Sequence, residues 1–253
     1  MADFKENPAK TRDFVYTPPE THCVELFRDA NICVVVKPSG LLSVPGRASE
    51  HYDSALWRVR VQSPEAQAVH RLDMDTSGIM VFALNRDMAG VLGRQFQQRE
   101  VRKLYLALVS GSVEKSGMID APLRCDWERR PLQIVDYKQG KRAVTFYKPL
   151  LCHEKSTLVA LYPVTGRSHQ LRVHMMLSGH PILGDRFYAD ADAAKAAECL
   201  QLHSSYLEFT HPSRGIRLRF SSLPDFASEL REVPDPGSVI KELGSDLSKY
   251  LPV

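Results

Sequence analysis

Short apolar runs separated by turn residues constrain the fold of this chain more than any other feature of its sequence. From Cys23 onward the runs have the alternating or β-branched character of strands, and turn-forming residues stand between them. Strands of this length must pair into a sheet before they can bury an apolar face. The predicted strands lie at residues 32–37, 79–84, 105–109, 143–147, 157–162, 206–210 and 216–220.

A few segments have helical spacing instead. Apolar residues recur on one helical face after the potential cap Asn85, as far as Phe96. A second helix is predicted from its cap Ser168 to Gly179, and the alanine-rich segment 189–197 predicts a short surface helix. Many strands with few helices favour an α+β fold, a largely antiparallel mixed sheet flanked by helices.

The chain is predicted to form one main domain between two less regular ends. Residues 1–22 are polar and contain prolines, which favours a flexible arm, and residues 23–230 hold all the predicted strands. The tail 231–253 has an amphipathic pattern from Val239 to Leu251. This pattern fits a last docked helix and a frayed end equally well.

Composition excludes some classes of protein. The chain is 43% hydrophobic and 25% charged, as globular domains are. Its purely apolar runs, such as 32–36, are far shorter than the ~20 residues that cross a bilayer. Residues 1–21 lack the apolar core of a secretory signal, so we expect a cytoplasmic protein without membrane contact.

Cysteine and histidine spacing gives no metal signature. The five cysteines include no C-x-x-C pair, and the spacings of His169, His174 and His180 do not place ligands on one helical face. We therefore expect no metal and no cofactor. The net charge of +3 is compatible with an anionic partner but too mild to identify one.

The most informative polar cluster is His-Arg-Leu-Asp-Met-Asp-Thr-Ser-Gly at 70–78, which runs directly into the predicted strand 79–84. Charged groups at a strand entrance are often catalytic. On its own, however, the cluster is more simply a turn, in which Asp75, Thr76 or Ser77 bonds its own backbone and Gly78 supplies an unusual dihedral angle.

A second polar cluster favours the catalytic interpretation over the simple turn. Residues 165–174 place two arginines, two histidines and a glutamine at the start of an otherwise apolar helix, where free N–H groups favour anions. A solvated helix start is the alternative. Arg172, however, lies near the apolar side of that helix, and a partly buried arginine needs a carboxylate partner. Asp73 is the candidate.

Together these clusters resemble the RluA/RsuA family of pseudouridine synthases, whose signature His-Arg-Leu-Asp-x-x-Thr-Ser-Gly stands intact at 70–78. The resemblance covers about residues 25–226. It is strongest to the RluA subfamily. Ser204 stands where the resemblance leads us to expect alanine. The other matching segments are 37–42, 43–47, 103–109, 125–131, 165–175, 180–185, 186–188 and 202–203.

The resemblance implies an active-site cleft across the sheet and an enzyme that isomerises uridine to pseudouridine in RNA stem-loops of 23S rRNA and tRNA. We expect this enzyme to be a monomer. It implies that Asp73 is the catalytic carboxylate, that Tyr105 lies beneath the target base and that Arg172 is the ion-pair partner of Asp73. The implied substrate-binding residues are His70, Arg71, Thr76, Arg167, His169, Gln170 and the floor residue Leu202.

The reaction explains why one aspartate can suffice. The N–C1′ bond must break, and the base must turn and rejoin through C5. Attack at C1′, removal of a sugar proton and addition at C6 all need an ionised carboxylate, and the sequence does not choose among them. Arg71 either fills the space of a flipped nucleotide or contacts a phosphate. A non-catalytic RNA-binding protein and a nucleoside-cleaving hydrolase are the alternative functions.

Overall fold

The computed structural model of the chain describes residues 15–237. Its helices are α1 Ala55–Arg60, α2 Arg86–Gln97, α3 Gln170–Leu177 and α4 Ala191–Lys195, with 3-10 turns at Ser49–His51 and Asp225–Ala227. Its strands are β1 Val24–Arg28, β2 Ile32–Lys37, β3 Gln67–Ala68, β4 Ser77–Ala83, β5 Arg102–Ser110, β6 Gly117–Asp120, β7 Leu123–Cys125, β8 Gln133–Val135, β9 Val144–Cys152, β10 Ser156–Pro163, β11 Leu202–Thr210 and β12 Arg217–Ser221.

One mixed sheet organises the molecule. Its strands follow the order β1-β2-β4-β11-β5-β10-β9-β6, with β12 added beside β11 and β3 beside β4, while β7 and β8 form a separate hairpin. Within the described residues, β4 and β11 are the one parallel pair, and the other paired strands run antiparallel. The predicted α+β fold with a largely antiparallel sheet is therefore confirmed, and each predicted run overlaps an observed strand.

The central strands are nearly continuous apolar runs because helices cover both of their faces. Ile79 and Val81 of β4 pack with Leu92 of α2 on one face. Met80 and Phe82 pack on the opposite face in a cluster that includes α1. The alternation of side chains along a strand thus separates two cores.

The face that carries α1 also carries α3. Ala107 of β5 and Leu161 of β10 pack against Leu171 and Met175 of α3. Tyr105 contacts both this cluster and the one beneath α1. The sheet surface around Tyr105 therefore lies between two helical layers.

The helix predictions differ in outcome. Asn85 caps α2 through its side chain, which accepts from Met88 N at 3.0 Å, as predicted. The predicted surface helix is α4. The prediction that Ser168 caps α3 is wrong, because the cap is His169, in a left-handed conformation with φ of 52° and no side-chain cap bond.

The chain ends are described only in part. Tyr16 is buried, and its hydroxyl donates to Asp53 O at 3.0 Å, so the described part of the predicted arm is held against the domain. The apolar pattern from Val239 to Leu251 lies outside the described residues. Across 15–237, no helix is both long and apolar enough to cross a membrane.

Candidate active site

A cleft of about 550 Å³ opens on the sheet surface beside Tyr105. Its walls come from the loop before β4, the start of β5, the segment leading into α3, and β11. The structure brings every predicted site residue to this cleft. These residues are His70, Arg71, Asp73, Thr76, Tyr105, Arg167, His169, Gln170, Arg172 and Leu202.

The loop that carries Asp73 is fixed by the segment that follows β2. Ser43 Oγ donates to Leu72 O at 2.7 Å and accepts from Leu72 N at 3.0 Å. Ser39 Oγ donates to Asp75 O at 2.7 Å. The backbone on both sides of Asp73 is therefore anchored, which limits where the carboxylate can point.

Lys37 also anchors the loop that carries Asp73. Its side chain is fully buried, and its Nζ donates to Met74 O at 2.9 Å, to Leu41 O at 2.7 Å and to Pro38 O at 2.9 Å. Burial lowers the pKa of Lys37 to about 7. The three carbonyl acceptors match the three N–H bonds of an ammonium group, so the geometry favours the charged form.

The close approach of β4 to β11 requires a glycine at the end of the polar cluster. Gly78 has a φ of +116°, and a Cβ atom there would lie 2.4 Å from Ser204 N. The unusual dihedral angle that the turn interpretation assigns to Gly78 is therefore confirmed. Gly78 shapes the backbone that presents Asp73.

Arg172 is held by a carboxylate that the sequence analysis did not assign. Its side chain is 2% exposed, and its Nε and Nη2 donate to the two oxygens of Asp185 at 2.8 and 2.6 Å. Its Nη1 lies 3.9 Å from Asp73 Oδ2. The pairing with Asp73 is present, but the two-pronged contact of the guanidinium is with Asp185.

This arrangement makes Arg172 a fixed cation. Burial alone would lower the pKa of its guanidinium, but the bonds to Asp185 and the charge of Asp73 raise it overall. The rings of Phe187 and Tyr188 lie 5.1 and 5.3 Å from the guanidinium carbon. The carboxylate of Asp185 is fully buried and also accepts from Phe187 N and Tyr188 N.

Tyr105 lies on β5 opposite Ser204 of β11. Burial raises the pKa of Tyr105 to about 12, and the negative charge of Asp73 acts in the same direction. The phenol therefore stays neutral at physiological pH. Leu202 and Thr76, both buried, line the cleft beside it.

His70 and Gln170 are engaged within the protein. His70 Nε2 accepts from Val81 N at 3.0 Å, its ring stacks on Phe96, and burial lowers its pKa to about 3. The Gln170 amide donates to Val144 O and Thr145 Oγ1. Its oxygen accepts from Thr165 Oγ1 and Arg167 N, so a substrate contact would have to compete with four bonds.

His169 combines backbone strain with a fixed ring. A non-glycine residue at φ of 52° is uncommon, and such strain is concentrated at functional sites. His169 Nδ1 lies 2.6 Å from the hydroxyl of Tyr188, and burial lowers the pKa of the imidazole. The contact with Tyr188 therefore fixes the His169 ring at the N-terminus of α3.

The charge of the cleft is uneven. Asp73 is the one carboxylate among the described residues that line it. The lining cations are Arg71, Arg99, Lys103, Arg167 and Arg172. Burial and the charge of Arg99 together lower the pKa of Lys103 to about 8. A cationic wall around one carboxylate suits a polyanionic substrate.

An anchored aspartate, a buried arginine and a tyrosine lie together in a cationic cleft on a mixed sheet, an arrangement that suits an enzyme acting on a nucleic acid. The model of the RNA pseudouridylate synthase family matches residues 31–177, and the chain belongs to this family. It is an RNA pseudouridine synthase, which isomerises uridine to pseudouridine.

Similar proteins agree with this assignment. The dual-specificity RNA pseudouridine synthase RluA of Escherichia coli K12 is 50% identical over 214 residues, which cover 83% of this chain and 98% of the relative. The Vibrio vulnificus protein of the same name is 52% identical over 204 residues, covering 78% and 82%. The structure of human RNA pseudouridylate synthase domain containing 1 matches with a TM-score of 0.70 and 26% identity, covering 90% and 98%.

Proposed function

We propose that Asp73 is the catalytic carboxylate of this enzyme, that Tyr105 supports the target uracil from below, and that Arg172 keeps Asp73 ionised and in place. The observation that carries the proposal is the isolation of Asp73. It is the one carboxylate among the described lining residues, and the cation nearest to it in the ion pairs is buried Arg172. A nearby positive charge favours an ionised carboxylate.

The single carboxylate favours isomerisation over hydrolysis. A glycoside hydrolase normally uses two carboxyl groups, one of which protonates the leaving group. Uracil leaves as a resonance-stabilised anion and must be retained for reattachment through C5, so it needs no such acid. Asp73 then acts at C1′, on a sugar proton or at C6 of the base. Tyr105, which is neutral, offers the ring surface on which the base can turn.

Access to Asp73 requires a flipped nucleotide. A stacked uridine cannot bring its C1′ to a carboxylate inside a cleft, and extrusion costs a few kcal/mol, least where pairing is already weak. Arg71 lies exposed at the cleft, two residues before Asp73. We propose that the Arg71 side chain fills the space that the flipped nucleotide leaves in the RNA. A contact with a phosphate is the alternative role.

We also propose that the substrates are the anticodon stem-loop of tRNA and a comparable hairpin of 23S rRNA. The dual specificity in the names of the E. coli and V. vulnificus relatives supports two RNA classes. A monomer is proposed, because one chain brings all the predicted site residues to the cleft, so the site needs no residue from a second copy.

The test is a comparison of three RNAs. The anticodon stem-loop and the rRNA hairpin should both gain pseudouridine, while an unstructured RNA with the same loop sequence should be modified far more slowly. Affinity for both hairpins should fall similarly as salt rises, since both lose the same phosphate contacts. Modification of the rRNA hairpin alone would restrict the enzyme to ribosomal RNA, and equal modification of the unstructured RNA would contradict recognition of a folded loop.

A further inference from the structure

We propose that Trp127, backed by Arg130, is a stacking platform for an unpaired RNA base other than the target uridine. This inference rests on the proposed function, because it adds a second point of contact with the same RNA. Trp127 is 67% exposed, whereas tryptophan side chains are highly buried on average. It lies in the loop that joins β7 to β8.

Arg130 covers one face of the indole. Its guanidinium carbon lies 3.8 Å from the ring centroid, a stacked cation–π arrangement. Among the described residues, Arg130 has no carboxylate at ion-pair distance, whereas the neighbouring Arg129 is neutralised by Asp126 at 2.7 Å. The pair thus offers an open aromatic face and an uncompensated positive charge. Single-stranded nucleic acids bind to such surfaces through base stacking and phosphate attraction.

The loop that presents Trp127 is closed by its own hydrogen bonds. Asp126 is buried and accepts from Arg129 N and Arg129 Nε at 3.3 and 2.8 Å. Asp126 N donates to Leu132 O at 2.9 Å, and Leu132 N donates to Arg129 O at 3.0 Å. A loop closed by its own hydrogen bonds loses little entropy when an RNA base stacks on it.

The platform is connected to the cleft by a short chain of hydrogen bonds. Gln133 N, at the start of β8, donates to the hydroxyl of Tyr188 at 2.9 Å. The same hydroxyl lies 2.6 Å from His169 Nδ1, and His169 lines the cleft. Leu132 packs in the cluster that contains Val173 of α3. The hairpin of β7 and β8 therefore borders the cleft on the side where His169 lies.

The occupant is a splayed base of the RNA loop. Stacking on tryptophan tolerates any base, because every base has a π-face, so Trp127 would hold the loop open without reading its sequence. This contact acts on binding. Trp127→Ala should raise KM for a stem-loop about 5- to 150-fold, the range that single-base stacking supports. Turnover at saturating RNA should stay near that of the wild-type enzyme.

Fluorescence tests the contact directly, because Trp57 and Trp127 are the only tryptophans in the sequence. In Trp57→Phe protein, the emission of Trp127 should be quenched by a stem-loop. In Trp127→Phe protein, the emission of Trp57 on α1 should not change. Unchanged emission from Trp127 at saturating RNA would overturn the proposal.

An abasic scan identifies the stacked base. Each loop position other than the target is replaced in turn by an abasic site, and affinity is measured with wild-type enzyme and with Trp127→Ala. One abasic RNA should bind the wild type more weakly, yet show no further loss with the variant. If the affinity losses from the abasic site and from Trp127→Ala are additive at every loop position, no base stacks on Trp127. In that case Trp127 only positions Arg130 against a phosphate, and the inference fails. Continued pseudouridine formation by the wild type in that case leaves the proposed function standing, whereas its absence would reject the proposed function itself.

Discussion

Asp185 is expected to act on the reaction through Arg172, and its replacement by asparagine isolates this effect. Both carboxylate oxygens of Asp185 accept from the guanidinium, and both side chains are at most 2% exposed. Asparagine keeps one acceptor oxygen but turns an NH2 group toward the second guanidinium N–H. The substitution leaves the charge of a buried arginine partly uncompensated.

The expected cost follows from this burial. Breaking a buried ion pair from one side costs roughly 3–5 kcal/mol, and the remaining acceptor places this variant near the lower end. In a chain of this length, about 3 kcal/mol corresponds to a fall in Tm of roughly 6–12 °C. Turnover should fall by about 10²-fold, the loss expected when Arg172 shifts toward Asp73 and displaces it by about 1 Å.

Thermal unfolding and single-turnover pseudouridine formation measure the two effects. The matched control is Asp53→Asn, which weakens the half-buried pair with Arg58, whose two side chains are 27% and 17% exposed, outside the cleft lining. It should cost about 1 kcal/mol or less and leave turnover unchanged. An Asp185→Asn protein with wild-type Tm and turnover would refute the claim that Asp185 holds Arg172. A lower Tm with full turnover would show that the pair is only structural.

Three further outcomes follow from the same structure. Gly78→Ala should destabilise the protein by at least about 2 kcal/mol, since its Cβ would meet Ser204 N at a φ that alanine rarely adopts, and denaturant unfolding measures this loss. Burial and the charge of Lys37 lower the pKa of His203 to about 4 from about 6.5 in the unfolded chain, so protons favour unfolding below pH 6.5. When the pH falls from 7 to 4, the unfolding free energy of the wild type should therefore fall by roughly 2–3 kcal/mol more than that of His203→Gln, as measured by urea unfolding. Turnover should persist in EDTA with monovalent salt, because no group of three His, Cys, Asp or Glu among the described residues could hold a metal, and loss of turnover would contradict this.

The strands were predictable because their periodicity is a local property of the sequence. Ile32–Lys37 was predicted at its observed bounds, and the class of fold followed from the number of strands. The short strands β7 and β8 were not predicted, since a strand of three residues has too few positions for a pattern to emerge. Helix α1 was missed for the same reason, as it has only six residues.

The site was predictable where a motif names its residues, and less so where tertiary contacts decide their roles. Asp73 and Arg172 were placed together from their clusters. The primary partner of Arg172 is not predictable from the sequence, because any buried carboxylate can satisfy a buried arginine and nothing in the segment 180–185 marks Asp185 as that carboxylate. Likewise, Lys37 was recognised within a motif, but its three carbonyl acceptors come from two separate segments of the chain.

Replacement of Asp73 by asparagine tests the central claim most directly, with Asp75→Asn as the matched control. Both aspartates lie in the same anchored loop, but only Asp73 lines the cleft. Asp73→Asn should bind a stem-loop with nearly wild-type affinity and form no pseudouridine in a single-turnover assay, because the lost group acts on the nucleotide and contributes little to backbone contact. Asp75→Asn should retain most of its activity. Substantial pseudouridine formation by Asp73→Asn, or its loss only in Asp75→Asn, would contradict the assignment of Asp73 as the catalytic residue.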